Sequence, residues 1–166
     1  SYVSQDNFLF NESIRENIRL GRPSATDEEV ELAAKAACCH DFIVQLEDGY
    51  DTDAGDAGNR MSGGERQRIT IARAILADAP VVILDEATAY ADPENERLIQ
   101  QALSELVRDK TLIVVAHRLS TIQDADQILV LDYGKLVGRG TQSELLASCP
   151  LYQRLWNDYV SVAELA

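Results

Sequence analysis

Apolar residues recur at helical spacing before Pro80 and in short unbroken runs after it. In the first part, TDEEVELAAKAACCHDFIVQL (26–46) sets Val30, Ala34, Ala37 and Cys38 on one helical face. Thr26 and Glu29 form a capping box ahead of it, and acids fill its first turn. Residues 47–59 turn to Gly, Asp and Asn and predict a loop. A second helix is predicted from Ser62 to about Ala77, with Ile69, Ala72 and Leu76 on one face. The opening SYVSQ reads as the end of a strand.

After Pro80 the period changes. VVILD is a β-branched run of the kind that fills a parallel strand buried on both faces, and TLIVVAH repeats it after a helix over about 94–107. A short helical piece from Ser120 leads to QILVLD, and Tyr133-Gly134 predicts a tight turn into KLVGRG, hence a hairpin. Two helices close the chain, at SELLA and at LYQRLWNDYV, the latter with Leu151, Leu155, Trp156 and Tyr159 as a packing stripe. Strands alternating with helices predict an α/β fold with a mostly parallel sheet, and the first third predicts a helical lobe inserted between sheet elements.

Composition narrows the function classes. A length of 166 residues suits one domain with a sizeable core. A net charge of −13 argues against a nucleic-acid or anionic-membrane surface. Arg60, Arg66, Arg68 and Arg73 cluster, but on a helix they read first as a solvated face. No apolar run approaches the ~18 residues of a membrane span. Three cysteines, two of them adjacent, have no metal or disulfide spacing and read as small core residues. His40 reads as structural.

The chemistry gathers at three places. Gly63 and Gly64 stand at the start of the most regular helix, where poor helix formers need a reason. Ser62 and Glu65 make a capping box there, and bare glycines also let a phosphate approach the helix N-terminus. VVILD ends in Asp85, followed at once by Glu86, and LIVVA runs into His117. Ligand crevices in such sheets lie at the carboxyl ends of the strands. An aspartate there suits Mg²⁺ with nucleotide phosphates, and a neighbouring glutamate suits activation of a water.

At these residues the sequence resembles a family. SGGE followed by RQRITIARAIL looks like the signature motif of ABC-type ATPases, and VVILDEAT like their Walker B strand with its catalytic glutamate. AYAD (89–92) is similar to the D-loop, VVAH to the switch-histidine strand and YVSQD to the Q-loop. GYDTDAGDAG and FNESIRENI look like the exporter-fold branch, and ATAYADPENE resembles its siderophore-handling members. The resemblance covers nearly the whole chain. It implies a P-loop NTPase-like α/β fold carrying a nucleotide-binding domain that works with ATP and Mg²⁺, as an ATPase. The partners implied are a second nucleotide-binding domain, identical or not, and transmembrane domains, on the cytoplasmic side of the cell membrane.

Roles follow from the resemblance. Gln5 would sense the metal and the transmembrane coupling helices. Ser62, Gly63 and Gly64, with Glu65 in the same motif, would meet the γ-phosphate of ATP held by a partner subunit. Asp85 would hold Mg²⁺ through water, Glu86 would act as general base, His117 would contact the γ-phosphate, and Asp92 would lie at the dimer interface. The implied layout is a helical lobe over about 6–76, a core over about 77–140 and C-terminal helices over 141–166.

The departures are specific. Met61 and Glu65 replace the commoner Leu and Gln of the signature, Asp56 and Ala57 stand where the exporter X-loop has Glu-Arg, and Tyr90 and Ala91 replace Ala-Leu in the D-loop. No G-x-x-x-x-G-K-S/T occurs in these residues; the one Gly-Lys, Gly134-Lys135, precedes Leu in the hairpin. The expectation is a C-terminal piece of the domain, without its Walker A segment and first strands and inactive alone, with the apolar VVIL edge uncovered. Two rivals are a non-enzymatic interaction fragment and the C-terminal lobe of an ABC-type DNA-repair or chromosome ATPase. The latter inserts long coiled-coil arms between Q-loop and signature, where this chain has only residues 6–61, without heptads.

Overall fold

A computed structural model describes residues 1–4, 6–85, 93–116 and 119–163, with Val162 and Ala163 described by backbone alone. The chain divides into two compact units, Ser1–Val115 and Ala116–Ala166.

The first unit runs β1 (Tyr2–Val3), α1 (Ile14–Arg19), α2 (Asp27–Ala36), α3 (His40–Ile43), α4 (Gly63–Ala77), β2 (Val81–Asp85), α5 (Pro93–Val107) and β3 (Thr111–Val115). Its sheet is parallel in the order β1-β2-β3, with Tyr2 opposite Ile83 and Ile83 opposite Ile113. β1 and β2 are therefore neighbours in the sheet although four helices separate them in sequence. α4 is the hub of the unit: it packs against α1, α2, α5 and β1. Residues 67–72 along it are all buried, more than one amphipathic stripe would cover.

That position overturns the reading of the arginines as a solvated face. Arg68 is buried, Arg66 and Arg73 are half-buried, and only Arg60 is exposed. Arg66 donates to the Met61 carbonyl at 2.7 Å, and Arg73 is held against α1.

The 26–46 stretch is not one helix. α2 stops at Ala37, and Cys38 adopts φ +54°, a left-handed conformation uncommon outside glycine. The Cys39 N–H reaches the Ala34 carbonyl at 2.9 Å and the Cys38 N–H the Lys35 carbonyl at 3.1 Å. This paired closure satisfies the helix end and reverses the chain, sending Cys39 into the core.

β2 ladders on both edges, so the VVIL edge is covered rather than open. Val82 and Leu84 are buried, while Val81 on the opposite face is 41% exposed. β3 departs furthest from its pattern: Leu112 to Val115 are 38–49% exposed. Among the described residues nothing ladders with its outer edge. The expectation of strands buried on both faces holds for neither.

In the second unit β4 (Ile128–Asp132) and β5 (Lys135–Gly140) form the expected antiparallel hairpin. Tyr133 and Gly134 turn it with φ of +45° and +75°, the pair of positive values that matches strand twist. α6 (Gln142–Ser148) starts at a Thr141–Glu144 capping box, and α7 (Pro150–Ala163) starts on a proline. The core joins Ile128 and Val130 to Leu145, Cys149 and Tyr152. The predicted α7 stripe is displaced: Tyr152 is buried and Leu155 is exposed, although the Trp156 and Tyr159 rings do meet, tilted by 44° with centroids 5.5 Å apart. No described helix is long and apolar enough to cross a membrane.

Candidate functional site

The turn at the start of α4 is built by its cap. Ser62 takes extended geometry, φ −65° and ψ 162°, and its hydroxyl accepts from the Glu65 N–H at 3.3 Å. Glu65 accepts the Ser62 N–H at 2.7 Å. The carboxylate of Glu65 is thus engaged in holding the turn, whose N–H groups form the positive end of a helix of 15 residues.

The two glycines differ. Ser62 and Gly63 are exposed, and a Cβ on Gly63 would meet nothing within 4 Å. A Cβ on Gly64 would lie 2.9 Å from the Asn95 carboxamide. One glycine leaves an open approach from solvent, and the other makes room for a neighbouring side chain.

Asp85 closes β2 on the sheet face that also carries Tyr2. The Tyr2 hydroxyl donates to Asp85 Oδ2 at 2.9 Å, and that bond is the main cause raising the Tyr2 phenol pKa above its ordinary value. Among the described residues no group of three or more His, Cys, Asp or Glu could hold a metal ion. A single half-buried carboxylate suits Mg²⁺, which keeps much of its water and takes the rest of its oxygens from phosphates.

The segment after β1 is fixed by Asn17, which the sequence reading passed over, together with Arg73. Asn17, fully buried on α1, donates from Nδ2 to the carbonyls of Phe10, Glu12 and Ser13 and accepts the Phe10 N–H at 2.8 Å. Arg73 Nε donates to the Asn17 carbonyl at 2.8 Å. Arg73 also lies over the Phe10 ring, which meets Phe8 edge-on at 5.1 Å between centroids. Phe10 and Leu20 remain half exposed and line a groove of about 430 Å³ with Asn11, Glu12, Glu16 and Arg19. The sequence did carry one signal, Ser13 three residues before Glu16: the Ser13 hydroxyl accepts the Glu16 N–H and starts α1. Nothing in the pattern marked Asn17. The histidine read as structural, His40, pairs through Nδ1 with the Tyr50 hydroxyl at 2.9 Å.

Of the expected site residues, Ser62, Gly63, Gly64 and Glu65 share one turn, and Asp85 stands at the end of the central strand. Among the described residues no hydrogen bond joins the turn to Asp85. Gln5, Glu86, Asp92 and His117 lie outside the described residues.

A parallel sheet whose central strand ends in a carboxylate, in a unit that also holds a long capped helix fronted by glycines, has the parts that bind nucleotide phosphates in α/β folds. The profile described as ABC transporter matches residues 1–89, more than half the chain, and the chain belongs to that family. It is 57% identical over 156 residues to the mycobactin import ATP-binding/permease protein IrtA of Mycobacterium tuberculosis, an alignment covering 94% of this chain and 18% of that protein. The solved structure of a bacterial Atm1-family ABC exporter with ATP bound superposes with a TM-score of 0.82 at 44% identity, over 95% of this chain and 28% of that one. The fold is that of the ABC ATPases, and the chain spans less than a third of either relative.

Proposed function

We propose that this chain is part of the ATP-binding unit of an ABC transporter and supplies the half of a nucleotide site that closes over ATP held by a second such unit. The observation that carries the reading is the exposed Ser62-Gly63 turn, open to solvent at the positive end of α4 and locked by the Ser62–Glu65 box. An open helix N-terminus with a hydroxyl beside it is an anion site in kind, and the family motif gives the anion as the γ-phosphate.

In that closed state Ser62 and the backbone N–H groups after it bind phosphate oxygens. Asp85 would hold Mg²⁺ through water, with Tyr2 engaging one carboxylate oxygen and leaving the other free. The metal, when bound, offsets phosphate charge. Glu86 takes the proton of the attacking water, His117 steadies the γ-phosphate, and Gln5 and Asp92 report the state of the site to the transmembrane domains and to the second unit. Catalysis of phosphoryl transfer rests on positioning. Residues 1–166 contain no Gly-rich cradle ending in Gly-Lys-Ser/Thr, so we expect them alone to turn over ATP negligibly.

The transmembrane partner is proposed on the lobe after β1, where Phe10 and Leu20 present apolar surface in a groove, and the likeness to ATP-binding/permease proteins supports a position on the cytoplasmic side of the membrane. One relative is named for import and the other is an exporter, so the proposal concerns the ATP-driven step they share. Ser62→Arg in the intact transporter tests it. The expected result is an ATP-closed dimer lost with the first ATP-binding step retained. Equal loss of both would mark a folding defect at the cap and contradict the reading.

A further inference from the structure

Asn95 sits where an apolar residue is expected. It lies one turn before Ile99 on the face of α5 that goes on through Ala102, Leu103 and Leu106, all of them buried. Arg68 is equally out of place, 5% exposed within the buried run of α4. The two interruptions meet: Arg68 Nη1 donates to Asn95 Oδ1. The Arg68 guanidinium lies 5.4 Å over the Phe42 ring. The Asn95 carboxamide so held rests on the Cα of Gly64, where a Cβ would come within 2.9 Å of both Asn95 Cγ and Oδ1.

Packing alone does not need this arrangement. A buried guanidinium is costly to desolvate, and apolar residues of similar volume usually serve a helix interface as well or better. What the polar pair adds is direction: one guanidinium N–H holds the Asn95 side-chain oxygen, and the Asn95 carboxamide fills the space beside Gly64 in the α4 turn. We propose that Arg68 and Asn95 are positioning residues that lock the Ser62–Gly64 turn to the first turn of α5, so that the two helix starts move as one body when the site closes. Gly64 is then a glycine to admit Asn95, while Gly63 is the glycine that leaves the approach to phosphate open. This inference rests on the function proposed above and goes beyond it in dividing the roles of the two glycines.

The test uses the full-length transporter containing this chain. It reads ATP-driven closure with a pair of distance labels, kcat and KM for ATP, and nucleotide-free melting. Asn95→Ala and Arg68→Met are each expected to raise the ATP concentration for half-closure about tenfold, and their combination no further, because coupled neighbours are not additive. Asn95→Ala strips the buried Arg68 of an acceptor and is expected to lower nucleotide-free melting. The joint is therefore read from Arg68→Met with Asn95→Leu, an apolar pair expected to melt no lower than the parent and still to need about tenfold more ATP for half-closure. Parent-like closure of that pair overturns the joint. Gly64→Ala is expected to abolish closure, and Gly64→Ala with Asn95→Ala to recover it to the level of Asn95→Ala alone. A double variant as impaired as Gly64→Ala, or effects of Arg68→Met and Asn95→Ala that multiply, overturns the joint. If Gly64→Ala does not fold, the Arg68–Asn95 pair decides by itself. If the parent neither closes on ATP nor responds to Ser62→Arg, the underlying function fails and the joint with it; if the parent does both, a failed rescue counts against the joint alone.

Discussion

Asn17 and Arg73 are joined twice: Arg73 Nε donates to the Asn17 main-chain carbonyl at 2.8 Å and Arg73 Nη2 to the Asn17 side-chain oxygen at 3.1 Å. The forked contact ties α1 to the hub helix α4. Asn17 in turn holds the main chain from Phe10 to Ser13. The segment that follows β1 therefore has its shape set from inside the lobe.

Arg73→Lys keeps the charge but loses the planar fork. It leaves a fully buried Asn17 oxygen short of a donor, at about 1–3 kcal/mol of stability. Asn17→Ala costs more, because three carbonyls lose the same donor. Chemical denaturation of the full-length protein should place the midpoints in the order parent, Arg73→Lys, Asn17→Ala. A parent-like midpoint for Asn17→Ala would remove the staple from the account.

The uncovered apolar strand has a consequence for residues 1–166 in isolation. Unladdered strand edges and apolar sheet faces drive association, and among the described residues β3 offers both. Sedimentation velocity should show concentration-dependent self-association, reduced by Ile113→Lys. A monodisperse monomer at all concentrations would contradict it.

Alkaline pH should weaken the first unit through Cys39. Burial pushes its thiol from 9.0 up to about 12. The unfolded chain then releases this proton at a lower pH than the folded one, so stability is whole below pH 9 and falls as pH rises from 9.0 toward about 12. Urea midpoints between pH 8 and 11 should decline more steeply for the parent than for Cys39→Ala, even if the variant starts lower. Parallel declines would show that the thiol does not contribute.

How much of this was legible depended on whether the signal was local. The capping boxes at Thr26 and Ser62 and the hairpin turn at Tyr133-Gly134 act within a few residues, and they form as read. The break at Cys38 was hidden because nothing local forbids the helix from continuing; burial of Cys39 chooses the reversal. Arg68 and Arg73 were misread because their environment comes from α1, α5 and Phe42, far away in sequence. β3 was read as covered because an apolar run reports what a strand needs, not what is present beside it. At the site, the Ser62 turn and Asp85 followed from pattern and family likeness, whereas the guard that Asn95 places on Gly64 is a contact between helices and left no motif.

The central claim is that this chain carries working parts of an ATPase site, and Glu86→Gln in the intact transporter tests it most directly. The amide keeps the shape of the side chain and loses the basic oxygen. Measured side by side, ATP-driven closure should be retained or strengthened while steady-state turnover falls by about 10²–10⁴-fold, the usual contribution of a placed base. Turnover unchanged in the variant, with closure intact, would contradict it.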